Sequence, residues 1–86
     1  MARYFFHTED GHTTRDHEGT QLPDNAAAKQ KAVEVLTEMV RERSEELWRD
    51  KVFRLMITDG SGLILFALDL SAVEAPAAQS ARPASS

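Results

Sequence analysis

The sequence of 86 residues contains no cysteine. This absence excludes a disulfide framework, thiolate metal sites and cysteine nucleophiles. A chain this short buries only about 60% of the surface that it exposes when unfolded. Its stability must therefore come from the packing of one small core, or from association with a second copy of the chain.

A long apolar run is also missing. No stretch approaches the roughly 20 apolar residues of a membrane-spanning helix, and the first residues lack the apolar run of a signal peptide. We therefore expect a cytoplasmic protein that has no membrane partner.

Charge of one sign is not concentrated anywhere in the chain. The 10 Lys and Arg residues are outnumbered by 14 Asp and Glu residues, for a net charge of −4. A nucleic-acid-binding protein typically gathers Lys and Arg into a basic patch. Nucleic acid is therefore not the expected partner.

The central feature of the sequence is a predicted helix from Pro23 to Trp48. Asp24 is a good N-cap, because its carboxylate accepts hydrogen bonds from free N–H groups at the positive end of the helix dipole. Helical spacing places seven apolar residues on one face: Ala28, Ala32, Val35, Leu36, Met39, Val40 and Leu47. Arg43 interrupts this face. We expect one long helix whose end runs past the sheet, so that Arg43 reaches water or a partner carboxylate.

Short apolar segments on both sides of this helix predict strands. An aromatic strand over 3–8 returns through a turn at Gly11 as a short polar strand over 12–15. Apolar runs over 52–57 and 63–68 form a hairpin around Asp59-Gly60-Ser61-Gly62. The chain is thus predicted to be an α+β domain of β-β-α-β-β order over residues 1–70. Its four-stranded antiparallel sheet has the order 2-1-3-4, with the long helix packed on one face, and residues 71–86 form a disordered Ala/Ser/Pro tail.

Three segments stand out as a set: Arg3-Tyr4-Phe5-Phe6-His7, the stretch from Asp16 to Asp24, and Asp59-Gly60-Ser61-Gly62. In this arrangement the chain resembles a family of small bacterial proteins classified only as a domain of unknown function. Its members have an RYFFH-like first strand, a D-x-x-G-x-x-L-P-D helix entry and a D-x-x-G hairpin. The resemblance covers about residues 1–70 and implies this fold; it supplies no established activity and no catalytic residues that could be carried over to this chain. The plan of strands and helix also resembles HicB-type antitoxin domains, in topology alone.

Candidate chemistry is sparse. His7, His12 and His17 lie beside acidic residues, and imidazole with carboxylate can bind zinc or nickel, but their spacing matches no common ligand pattern. Ser61 lacks the G-x-S-x-G context of a hydrolase nucleophile. The sequence therefore predicts no enzyme, no catalytic residue, no metal site, no cofactor and no identified small-molecule substrate.

Excess apolar surface is the strongest functional signal. Both alternating residue sets of the last hairpin are apolar, although one helix covers only one sheet face, and an exposed apolar patch usually marks an interface. The predicted interface residues are Val52, Met56, Arg43, Leu47 and Trp48. We expect a non-catalytic interaction or regulatory module that self-associates as a homodimer, through sheet stacking or edge pairing, or binds another protein. One alternative is a monomer whose second face is semi-exposed. The other is a nucleic-acid-associated, antitoxin-like regulator with a cationic ring of Arg3, Arg15, Lys51 and Arg54.

Overall fold

The computed structural model describes residues 2–80 of the chain. Five strands form one antiparallel sheet. Strands β1, β2 and β3 precede two consecutive helices, α1 and α2, and strands β4 and β5 precede a short helix, α3. Their bounds are β1 Ala2–Glu9, β2 Thr13–Thr14, β3 Thr20–Leu22, α1 Asn25–Glu42, α2 Ser44–Asp50, β4 Val52–Thr58, β5 Ile64–Ser71 and α3 Pro76–Ser80.

The predicted α+β class and the antiparallel sheet are confirmed, but the prediction of four strands is wrong. The sheet runs β2-β1-β4-β5, and β3 also pairs with β1. Ala2 pairs with Leu22, and Thr8 pairs with Thr14. The predicted order 2-1-3-4 corresponds to β2-β1-β4-β5 and omits β3, because the sequence predicts no strand over 20–22. The proline keeps Leu22 extended, which suits it for pairing.

The last hairpin forms over slightly longer strands than predicted. Asp59 closes the connection through its N–H, which donates to the carbonyl of Leu63 at 3.0 Å. A register shift follows the turn: Ile57 pairs with Phe66, whereas Thr58 pairs with Ile64. The extra residue, Leu65, forms a β-bulge at the start of β5.

The core lies between α1 and one face of the sheet. Phe53, Leu55 and Ile57 of β4 are completely buried, since alternate residues of a strand point to the same face. Ala28 and Ala32 are the buried residues of α1. Their small side chains allow the helix backbone to approach the sheet closely.

The prediction of one continuous helix is wrong. Arg43 separates α1 from α2 with φ −129° and ψ 43°, although neither glycine nor proline lies at the break. The Arg43 guanidinium pairs with the buried carboxylate of Asp10, in the turn after β1. The bend lets α2 pack against β4 instead of extending past the sheet. Leu47 is consequently buried.

The segment after residue 70 remains attached to the sheet at first. Ser71 ends β5, the Ala72 N–H donates to the Lys51 carbonyl at 2.8 Å, and Lys51 forms an ion pair with Glu74. Residues 81–86 of the predicted disordered tail lie outside the described residues. None of the helices within residues 2–80 is long and apolar enough to cross a membrane.

Candidate interaction surface

The sheet face opposite α1, here called the open face, carries both apolar and charged side chains. The register aligns His7 with Met56 and Ala67 in three neighbouring strands. Val52 is 42% exposed and Met56 is half-buried. The predicted contact residues Val52 and Met56 therefore both lie on this face.

A two-pronged ion pair crosses the open face between β4 and β5. The Arg54 guanidinium donates to both carboxylate oxygens of Asp69, at 2.8 and 3.1 Å. The hydrogen bonds from Arg54 lower the pKa of Asp69, and the same bonds raise the pKa of Arg54. Both side chains are about half exposed (48% and 49%), so water screens the pair and it adds little stability. Covering it with another apolar surface would require both charges to be desolvated.

The outer edge of β5 is unpaired among residues 2–80. Alternate residues of a strand direct their N–H and C=O groups to opposite edges. The Ala72 N–H points to β4, so Phe66, Leu68 and Leu70, at the same alternation, also bond to β4. The backbone groups that point outward belong to Ala67, Asp69 and Ser71; together they are called the β5 edge.

Exposed apolar side chains flank the β5 edge. Leu63 is 62% exposed, Ile64 58% and Leu65 37%, and Val33 of α1 is 55% exposed. Natural edge strands are usually protected by lysine, proline, inward-pointing charge or a β-bulge. The β5 strand has only Asp69, which is paired with Arg54, and the bulge at Leu65, which lies at the start of the strand, before Ala67, Asp69 and Ser71. Its edge is consequently open to another strand.

A groove of about 210 Å³ lies between α1 and β5, beside this edge. It is mostly apolar, and the Lys29 ammonium lies 5.3 Å from the centre of the Phe66 ring. The residues that line it are Lys29, Ala32, Val33, Ile57, Phe66, Ala67 and Leu68. The groove extends the uncovered apolar surface from the strand onto the helix.

The other three predicted contact residues do not join one patch. Arg43 is occupied by Asp10, and Leu47 is buried and so unavailable to a partner. Trp48 is 54% exposed on α2, where the Lys51 ammonium lies 5.8 Å from its ring. The sequence predicted edge pairing as one route to a homodimer but named no residue of the β5 edge, although an apolar last strand with a single charge was the available signal.

A second candidate region is a polar cleft of about 310 Å³ on the open face, where the three segments of the sequence resemblance meet. His7 lies in its wall. Its Nδ1 accepts the Asp16 N–H at 3.1 Å, and its Nε2 lies 3.1 Å from the Thr58 hydroxyl oxygen. That hydroxyl donates to the Asp59 carbonyl, so it accepts from His7 and places the imidazole proton on Nε2. Both ring nitrogens of His7 are thus used within the chain.

The other histidines do not join His7 in a ligand set. His12 and His17 are exposed, and His17 lines the polar cleft. Within the described part of the chain, no group of three or more His, Asp or Glu side chains is placed to hold a metal ion.

The two D-x-x-G segments have a common structural basis. In the first, Asp16 Oδ1 accepts the N–H groups of Glu18 and Gly19 at 3.1 and 3.0 Å, and Oδ2 accepts that of Phe6 at 3.1 Å. Gly19 has a φ of +73°, which glycine adopts at low cost. Partial burial raises the pKa of Asp16, but the hydrogen bonds from the backbone N–H groups of Gly19, Phe6 and Glu18 outweigh it and hold the pKa below its usual value. Asp16 thus fills the gap between β2 and β3 along β1.

The second segment repeats this geometry in the last hairpin. Asp59 Oδ1 accepts the Ser61 hydroxyl at 2.7 Å and the N–H groups of Ser61 and Leu63 at 2.9 and 3.0 Å. The pKa of Asp59 is lowered, chiefly by the Ser61 hydroxyl. Gly62 has a φ of +92°. In both segments the acid binds the N–H groups of the turn and the glycine supplies the left-handed backbone.

A family model described as a domain of unknown function, DUF6894, matches residues 3–71. The chain therefore belongs to this family, as the resemblance to a small uncharacterised family predicted. No curated protein and no solved structure was found to match the chain.

Proposed function

Proceeding from this family membership, we propose that the domain is a non-catalytic interaction module that self-associates in a regulatory role. The observation that supports it most is the β5 edge, an unprotected strand edge flanked by Leu63, Ile64, Leu65 and Val33, each more than a third exposed. An unpaired edge is a template for a further strand, and contiguous exposed apolar surface usually marks a contact site.

The side chains of the polar cleft support a structural role better than a catalytic one. His7 is held by Asp16 and Thr58 through its two ring nitrogens. The Ser61 hydroxyl donates to the Asp59 carboxylate. The pKa of Asp59 is lowered, so this carboxylate is a weaker base than an ordinary one, whereas a nucleophile needs a base strong enough to take its proton.

The cationic side chains argue for a protein partner and against nucleic acid. In the ring of four considered from the sequence, Arg54 is paired with Asp69 and Lys51 with Glu74. Arg3 donates to the Glu18 carbonyl at 2.7 Å. A phosphate backbone is recognised by available cations, and three of these four are already engaged within the chain.

Size-exclusion chromatography with light scattering over a range of concentrations tests this proposal. The wild-type chain is expected to elute as a dimer, and Ala67→Pro as a monomer, because proline removes one outward N–H from the β5 edge without removing a bond to β4. Ala67→Val, which keeps the N–H, is the matched control and should remain dimeric. A wild-type chain that stays monomeric at high micromolar concentration would refute self-association.

A further inference from the structure

We infer that two copies of the chain pair antiparallel through β5, with the two-fold axis at Leu68, and thereby form one ten-stranded sheet. This inference rests on the proposed self-association and specifies its surface, its partner and its register. The occupant of the β5 edge is a second copy of the same edge.

The alternation of the backbone groups restricts the possible registers. The outward groups belong to Ala67, Asp69 and Ser71, at every second position. An antiparallel hydrogen-bonded pair requires two residues whose backbone groups face each other. A residue of this set must therefore lie opposite a residue whose backbone groups also point outward. Sliding one copy by a single residue would break this match, so the register can change only in steps of two residues.

Charge selects among the remaining registers. An axis at Asp69 would place two Asp69 carboxylates directly opposite each other, which is destabilising. An axis at Ala67 would place Asp69 opposite Leu65, in the irregular bulge of β5. An axis at Leu70 would place Ala67 opposite Val73, beyond the end of β5. An axis at Leu68 places Asp69 opposite Ala67 of the second copy in the regular part of the strand, and only Ser71 then lies opposite Leu65.

This register also matches apolar side chains across the contact. Leu68 meets Leu68 of the second copy, and Phe66 meets Leu70, all on the sheet face that α1 covers. Each of these side chains is half-buried in one copy. The apolar groove beside Val33 and Phe66 then continues into the groove of the second copy, so that the contact closes a surface that is open in one chain.

Edge pairing also leaves the charges of the open face in water. Stacking two open faces would bury the ion pair of Arg54 and Asp69, each about half exposed in one copy (48% and 49%), at a desolvation cost that its attraction need not repay. Pairing at the edge keeps this ion pair at the surface. The edge is therefore the favoured contact, and the open face is not.

Engineered thiols test the register, because the chain contains no cysteine of its own. Leu68→Cys places two thiols opposite each other in a non-hydrogen-bonded pair, with Cα atoms about 4.5 Å apart, which suits a disulfide. In Ala67→Cys alone, the two substituted residues lie diagonally, with Cα atoms about 7–8 Å apart. In a glutathione redox buffer, Leu68→Cys should form the covalent dimer on the order of tenfold faster than Ala67→Cys.

A mixture of two surface variants gives the same test without altering the core. Ala67→Cys and Asp69→Cys, mixed in equal amounts, should cross-link with each other, whereas Ala67→Cys, which keeps both Asp69 carboxylates, should not cross-link readily alone. Faster cross-linking of Ala67→Cys alone would overturn the register. A dimer in light scattering that none of these thiols cross-links would overturn pairing through β5 and leave self-association standing. A monomer would overturn both.

Discussion

The ion pair at the helix break makes an asymmetric prediction about stability. Asp10 is the buried partner, with a side chain 1% exposed, whereas the side chain of Arg43 is 43% exposed. In addition, Asp10 Oδ1 has no hydrogen-bond partner among the described residues. The two partners therefore differ in what remains after the other is removed.

Arg43→Ala leaves a buried carboxylate without a counter-charge, which costs about 3–5 kcal/mol. Asp10→Ala leaves a guanidinium that can turn into water, so the cost is about 1–2 kcal/mol. The difference of about 2 kcal/mol between the two variants means that Arg43→Ala should melt about 8–16 °C below Asp10→Ala in a domain of this size.

Urea unfolding followed by the fluorescence of Trp48, the single tryptophan, measures these free energies at one fixed protein concentration. The variant with both substitutions is the control. Its unfolding free energy should fall little more than that of Asp10→Ala, because it contains no buried charge without a partner. If Asp10→Ala is as destabilising as Arg43→Ala, or more so, the reasoning is refuted.

Three further predictions concern turns and caps. Asp16→Asn should lower the unfolding free energy by about 1–3 kcal/mol near neutral pH. Because the pKa of Asp16 is lowered in the folded chain, its contribution is present above about pH 4 and is lost as the pH falls through the folded-state value; a gap between wild type and Asp16→Asn that persists in acid would contradict this. Gly19→Ala should cost more than Gly62→Ala in thermal melts. Both glycines have positive φ, but a Cβ at Gly19 would lie 2.7 Å from the Arg3 side chain, whereas nothing lies within 4 Å at Gly62; equal losses would show that the contact relaxes freely. Asp24→Ala removes the acceptor that holds the Ala27 N–H at 2.9 Å and should cost about 1 kcal/mol in urea unfolding, with Asp24→Ser as the control that retains a cap.

Local signals predicted much of this fold from the sequence. The Asp24 cap and the glycine turn of the last hairpin each depend on neighbours in the chain. The apolar stripe over Ala28 and Ala32 likewise follows from helical spacing. These features formed as predicted, because no distant contact opposes them.

The helix break and the third strand depended on distant contacts and were missed. Arg43 meets Asp10 across 33 positions, and no residue near the break is a helix breaker. The β3 strand is only three residues long and has one apolar residue, so its pairing with β1 is visible only in three dimensions. Leu47, one of the five predicted contact residues, is buried because of this bend, and the bend depends on the same distant contact between Arg43 and Asp10.

Amide hydrogen exchange by NMR at low and high protein concentration tests pairing through the β5 edge most directly. The account predicts that the Ala67, Asp69 and Ser71 amides exchange rapidly in dilute solution and become protected as the concentration rises. The Phe66, Leu68 and Leu70 amides, bonded to β4, should be protected at both concentrations. If the outward amides still exchange rapidly where light scattering finds a dimer, pairing through β5 is wrong.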